Sequence, residues 1–296
     1  MVDASGCQMI DGETRVVGII GDPVSHSLSP RMHNAAFAHY HMNWCYLPFP
    51  VPSPLLPDAI RGLRALGIVG VNVTIPHKES VLPLLDEVDG EARAIGAVNT
   101  IHIVEGRCFG YNTDAHGFRE ALRQEGLFAP SGRRVAVLGA GGGARAVCAA
   151  VAWEGAGEVV ILNRTPERGR RLAEDLARRF PETRFSFLPL EGRLVKEVLP
   201  TCDLVVQATS LGMKGEASPV KEPTVFHKGM VVVDLVYQPE ETPFLRMARA
   251  MGAKTVTGLT MLVYQGARSF EIWTGRPAPV AVMKQAIGLT LYHREE

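Results

Sequence analysis

The chain has 296 residues, room for one large or two medium domains, and its 46% apolar and 21% charged side chains leave no case for disorder. Thirty-one basic residues balance thirty-one acidic ones, so no overall field recruits nucleic acid or an anionic membrane. The five cysteines (Cys7, Cys45, Cys108, Cys148 and Cys202) are scattered and form no CxxC pair, which argues against a disulfide framework and against a zinc site.

Val16–Gly21 is a short apolar run closed by Gly-Asp-Pro, the pattern of a buried strand ending in a loop. Pro30 opens a helix through His39, followed by a strand at Trp44–Leu47, a helix at Asp58–Leu66 and a strand at Gly70–Thr74. Lys78–Asp86 reads as a further helix. Asn99–Val104 and Arg107–Tyr111 flank Glu105-Gly106 as a tight hairpin, and Asp114–Gln124 follows as a helix. Gly126–Gly132 has the composition of a linker. Beyond it come strand Arg134–Leu138, helix Ala144–Trp153, strand Glu158–Leu162 and helix Pro166–Phe180. Strands at Leu204–Ala208 and Val231–Val236 precede two closing helices, Met261–Trp273 and Val280–Tyr292. Strand–helix alternation of this kind predicts an α/β fold with parallel pairing and crossover helices.

Gly139-Ala140-Gly141-Gly142-Gly143-Ala144 fits GxGxx(G/A) directly after an apolar strand and at the start of a helix. Small residues there allow a tight turn, close backbone approach to a pyrophosphate and close helix packing, with the helix N-terminus facing the phosphates. NAD enzymes place an acid about 20 residues further on, to hold the ribose 2′-OH. Here the second strand ends in Asn163-Arg164-Thr165, with Arg168 one turn beyond. Two guanidiniums suit a 2′-phosphate, so NADP is the expected cofactor. The alternative for Arg168 is a solvated helix face shared with Arg170 and Arg171.

Four more segments carry polar residues where a core pattern should continue. They are Ser25-His26-Ser27-Leu28-Ser29-Pro30, Asn72-Val73-Thr74-Ile75-Pro76-His77-Lys78, Gly96-Ala97-Val98-Asn99-Thr100 and Gly110-Tyr111-Asn112-Thr113-Asp114. With Ala208–Met213, Asp234–Pro239 and Gly258–Gln265 they resemble, in order, the motifs of the shikimate dehydrogenase family. The resemblance runs from about Val16 to Trp273. It implies an N-terminal α/β substrate domain and a Rossmann-type doubly wound NADP-binding domain separated by a cleft. The expected boundaries are 1–115 plus 259–296 for the first and 116–258 for the second.

The resemblance also implies the site. Lys78 and Asp114 form a catalytic dyad, in which an ammonium and a carboxylate serve the oxygen that gains or loses a proton. Ser27 and Ser29, alternating on an extended segment, hold the substrate carboxylate with Thr74 and Tyr237. Asn72, Asn99 and Gln265 serve the ring hydroxyls. Thr209, Met213 and Gly258 line the cofactor pocket. Each has a plainer alternative: helix capping for Ser29 and Asp114, turn-making for the asparagines, a surface position for Lys78. His26 and His77 need no catalytic part.

The implied activity is reversible, NADPH-dependent reduction of 3-dehydroshikimate to shikimate in aromatic amino-acid biosynthesis, with no metal. A quinate or dual quinate/shikimate dehydrogenase shares the same pattern. A non-catalytic NADP- or shikimate-binding sensor is the alternative of another class. Met1–Gly12 lacks the pattern of a signal peptide, and no apolar run is long enough to span a bilayer, so a cytoplasmic protein is expected, with a homodimer as one allowed assembly.

Overall fold

The computed structural model describes residues 10–125, 128–213 and 218–289. Two compact units divide the chain: Met1–Thr113 with Val263–Glu296, and Asp114–Leu262. Asp114 therefore opens the second unit.

The first unit begins with β1 (Arg15–Gly21), α1 (Ser29–His39), β2 (Trp44–Pro50), α2 (Leu56–Ala65) and β3 (Gly70–Val73). It continues through β4 (Glu87–Val88), α3 (Gly90–Ile95), β5 (Thr100–Val104) and β6 (Arg107–Tyr111). These strands form one mixed sheet in the order β2-β1-β3-β5-β6-β4. β1 pairs in parallel with β2 and β3, which explains its continuous apolar run, because both faces of a central parallel strand are covered. β5 and β6 form the expected antiparallel hairpin, with Glu105 and Gly106 both at positive φ in the turn.

The expected helix at Lys78–Asp86 is replaced by turns and one 3₁₀ turn, Leu82–Leu84. Pro83 lacks the N–H a helix would need there, and Asp86 N–H is instead bonded to the Cys108 carbonyl of β6.

The second unit runs α4 (Asp114–Gln124), β7 (Arg134–Leu138), α5 (Gly142–Trp153), β8 (Glu158–Asn163), α6 (Pro166–Arg179), β9 (Arg184–Pro189) and α7 (Gly192–Val198). β10 (Leu204–Gln207), β11 (Val231–Asp234), α8 (Pro243–Ala250) and β12 (Lys254–Val256) follow. All six strands are parallel, ordered β12-β11-β10-β7-β8-β9. The strand order reverses between β7 and β10, as in a doubly wound fold.

The segment read as a linker is part of this unit. Gly132 N–H donates to the Gly155 carbonyl at 2.8 Å, and Ser131 bridges to Ala156. Gly126 and Leu127 of that segment lie outside the described residues. Two helices close the chain, α9 (Gly258–Thr274) and α10 (Val280–Ala286). The second stops short of the expected Tyr292, since Ile287 caps it and Gly288 turns at φ of 78°, while residues 290–292 lie outside the described residues.

Among the described residues no helix is long and apolar enough to cross a membrane. One face of the first sheet packs an aromatic cluster: Phe37 against Trp44 and Phe270, and His33 stacked on Tyr46 at 4.5 Å and 3°. His33 is fully buried, and among the described residues neither ring nitrogen has a hydrogen-bond partner. Burial therefore pushes its pKa down from 6.5 to about 3, and the folded ring is neutral.

Because the unfolded chain binds this proton and the folded one does not, stability falls as pH drops below 6.5. Between pH 7 and pH 5 the wild type should lose roughly 2 kcal/mol relative to His33→Leu, measured by chemical unfolding at both pH values. Parallel pH profiles would show that the ring charges without cost.

Candidate active site

The strands on either side of the reversal send loops from their carboxyl ends, where ligands of such sheets bind. Gly139 leaves β7 with φ of 120°, and its N–H donates to the Leu162 carbonyl at 2.8 Å. A Cβ there would sit 2.9 Å from the Ala208 carbonyl oxygen, so both conformation and space require glycine. At Gly141 a Cβ would meet nothing within 4 Å, so a ligand has room to lie on the backbone.

Gly142 and Gly143 open α5 without any side-chain cap on its first N–H groups. Ala140 and Ala144 are buried beside them. Bare backbone and an uncapped helix N-terminus fit a pyrophosphate.

Asn163 ends β8, and its Nδ2 donates to the Thr165 carbonyl at 2.8 Å. Arg164 and Arg168 are exposed on either side of the α6 start, and Arg164 is two residues from the Leu162 anchor of the glycine loop. Arg170 lies over the Phe187 ring at 5.7 Å.

Gln207, the last residue of β10, is fully buried. Its Oε1 accepts from Thr209 N–H at 2.6 Å, and its Nε2 donates to the Leu211 carbonyl at 2.8 Å. That pins the loop from Thr209 to the half-exposed Met213. Gly258 opens α9 where a Cβ would lie 2.6 Å from the Leu235 carbonyl oxygen, so only glycine lets the helix start there.

In the first unit, the loops after β1 and β3 are tied together. Asp22 N–H donates to the Ile75 carbonyl and Thr74 N–H to the Ile20 carbonyl, both at 2.9 Å. Ser27 and Ser29 are not on an extended segment as expected; they form a turn in which Ser27 Oγ accepts from Ser29 N–H at 3.2 Å. Leu28 already has helical backbone, and Pro30 fixes the first turn of α1. Ser29 does not cap the helix: it is the first residue of α1, the N-cap is Leu28, and it is Ser27 Oγ that takes the Ser29 N–H.

Lys78 stands on a turn whose backbone carbonyl accepts from Val98 N–H at 2.8 Å, beside the residue that precedes Asn99. His77 is buried and donates from Nε2 to the Val51 carbonyl at 2.6 Å. It clamps that turn.

Asn72, Asn99 and Gln265 are all buried. Asn99 Oδ1 accepts from Thr113 N–H at 2.7 Å, and its Nδ2 donates to Thr113 Oγ1 at 2.9 Å and to Gln265 Oε1 at 3.2 Å. Asp114, buried at the start of α4, is the next residue after Thr113. Among the described residues no group of three or more His, Cys, Asp or Glu is placed to hold a metal ion.

Family models match most of this architecture. The shikimate dehydrogenase substrate binding domain covers residues 19–101, the shikimate / quinate 5-dehydrogenase model 122–236, and the shikimate 5′-dehydrogenase C-terminal domain 258–287. A shikimate dehydrogenase (NADP(+)) of Methanopyrus kandleri is 49% identical over 280 residues, covering 94% of this chain and 96% of the relative. The chain belongs to the shikimate dehydrogenase family. A crystal structure of a shikimate dehydrogenase in complex with NADP+ superposes with a TM-score of 0.86 at 42% identity, over 95% of this chain and 96% of that one. The Thermus thermophilus enzyme in complex with NADP(H) and shikimate gives 0.81 at 41% identity, over 92% and 98%.

Motif reading gave no role to two residues that hold this member of the shikimate dehydrogenase family together at its site: Gln207 it passed over, and Asp234 it quoted only within the Asp234–Pro239 motif. Gln207 and Asp234 each end an apolar strand with one polar residue, a signal visible in Leu204–Gln207 and Val231–Asp234. Asp234 Oδ1 accepts from Val236 N–H at 2.9 Å, and Oδ2 accepts from Thr242 Oγ1 at 2.6 Å. These bonds span the loop that carries the half-buried Tyr237.

Burial pushes the Asp234 pKa up to about 6 against these two hydrogen bonds. The folded chain thus holds this proton more tightly than the unfolded one, and stability is lost as pH rises toward 6. Asp234→Asn should gain roughly 1–2 kcal/mol on the wild type between pH 5 and pH 7 in chemical unfolding. An unchanging difference would mean that the carboxyl is already charged at pH 5.

Proposed function

We propose that this protein catalyses the reversible NADP-dependent conversion of shikimate to 3-dehydroshikimate. One observation carries the proposal: a member of this family follows β8 with Arg164 rather than an acid, and buries the amides Asn99 and Gln265 in its substrate unit. The first feature suits a 2′-phosphate; the second suits a ligand rich in hydroxyls.

NADP, when bound, supplies the hydride acceptor or donor. The backbone of Gly139–Ala144 receives its pyrophosphate, Asn163–Thr165 with Arg168 its adenosine end, and Thr209, Met213 and Gly258 the nicotinamide end. Ser27, Ser29, Thr74 and Tyr237 offer hydroxyl donors to the substrate carboxylate. Asn99 and Gln265 bind ring hydroxyls, and Asn72 supports them from behind through its internal hydrogen bonds. Lys78 and Asp114 serve the reacting oxygen: the ammonium stabilises the developing alkoxide and the carboxylate orients it.

Initial rates of shikimate and quinate oxidation, each with NADP and with NAD, test this directly. Strong preference for shikimate with NADP is expected, and Lys78→Ala should lower kcat by about 10²–10⁴ with a small change in KM. Preference for quinate with NAD would overturn the argument from Arg164. Protein that binds NADP but turns over neither substrate would be a sensor. A near-normal kcat in Lys78→Ala would remove Lys78 from the chemistry.

A further inference from the structure

Ser269 lies outside every motif that marks the site, one turn beyond Gln265 on α9, and is fully buried. Its Oγ lies 2.9 Å from Asn72 Nδ2, 2.8 Å from Thr100 Oγ1, 3.2 Å from Thr113 Oγ1 and 3.1 Å from the Gln265 carbonyl oxygen. A buried hydroxyl with four polar neighbours sits at the centre of a hydrogen-bonded network.

Backbone groups set the direction of this network, because each has only one polarity. The Asn99 carbonyl can only accept, and Asn72 Nδ2 lies 3.2 Å from it, so the amide nitrogen of Asn72 faces inward. Its oxygen then accepts from the Tyr46 hydroxyl at 2.8 Å, on a ring held in place by the stacked His33. The two N–H groups of Asn72 are therefore shared among the Asn99 carbonyl, Thr100 Oγ1 and Ser269 Oγ, with both hydroxyls as acceptors. Ser269 donates to the Gln265 carbonyl, and the single Thr100 proton is shared between Ser269 Oγ at 2.8 Å and Asn99 Oδ1 at 3.1 Å. At the other end Thr113 N–H can only donate, which fixes Asn99 with its oxygen toward Thr113 and its nitrogen toward Gln265 Oε1. Gln265 accepts from Asn99 through oxygen, so its Nε2 is the end turned away from Asn99.

We propose that Ser269 is a positioning residue for substrate, which locks Asn72, Thr100 and Thr113 so that Asn99 and Gln265 meet the ligand in one orientation only. Ser269 acts through Asn99 and touches no reacting atom. The inference rests on the proposed shikimate chemistry, with Asn99 and Gln265 at the ring hydroxyls.

The test is steady-state kinetics on wild type, Ser269→Ala, Asn99→Ala and the double variant, with wild-type turnover of shikimate and NADP as the reference for the parent proposal. Thr100→Val, nearly isosteric, reads the same network without opening a cavity, should Ser269→Ala fold poorly. Ser269→Ala and Thr100→Val should each raise the KM for shikimate about tenfold, with kcat within about threefold and the KM for NADP unchanged. In the Asn99→Ala background, Ser269→Ala should add less than about twofold, because the group it positions is gone. Multiplying effects in the double variant would overturn the role, since they would mean independent action. An unchanged shikimate KM in both Ser269→Ala and Thr100→Val would overturn it as well, as would equal losses for both substrates.

Discussion

A polar side chain buried beside a strand end has to find its partners in the protein, and here it finds them in loop backbone. The partner is two residues on for Gln207 and Asp234, and across the β5–β6 hairpin for Asn99. Asn99 takes Thr113 N–H at 2.7 Å, Gln207 takes Thr209 N–H at 2.6 Å, and Asp234 takes Val236 N–H at 2.9 Å. In each case the held residue leads directly into proposed site residues: Asp114, the Thr209–Met213 loop, and Tyr237. An unmet amide or carboxyl in these positions would cost about 1–3 kcal/mol, so each loop conformation is held by the stability of the core beneath it.

The two units use this device on different sheets. In the second, parallel pairing on both sides of β7 and β10 creates the reversal, and Gly139 lets the two loops approach to a distance no side chain allows. In the first, β3 and the β5–β6 hairpin bring Asn72, Asn99 and Thr100 together, and α9 supplies Gln265 and Ser269. The stacked His33 and Tyr46 rings close the apolar side of that cluster. Many of the proposed cofactor and substrate residues thus stand at or just beyond strand ends, which suits sites that need fixed geometry.

Much of this was legible because its causes are local. The hairpin turn at Glu105-Gly106, helix α4 and strand β7 depend on turn chemistry and period within a few residues, and fall where the pattern puts them. The motif residues stood out as polar interruptions of apolar runs. What was not legible depends on distant partners. Nothing near Asn72 in sequence announces a bond to Ser269, 197 residues away. The Lys78–Asp86 segment has helical period but bonds to β6, and edge strand β9 and helix α7 lacked a strong enough pattern to be read at all. Ser27 and Ser29 alternate as a strand would, yet Pro30 and the start of α1 turn them.

The most direct test of loops held by strand-end side chains is native-state hydrogen exchange at three backbone amides, those of Thr113, Thr209 and Val236. Each donates to a buried side-chain oxygen, so each should exchange as slowly as amides inside the adjoining strands, although all three lie outside regular pairing. Exchange as fast as that of exposed loop amides would show that these side chains do not hold the loops, and would contradict the account.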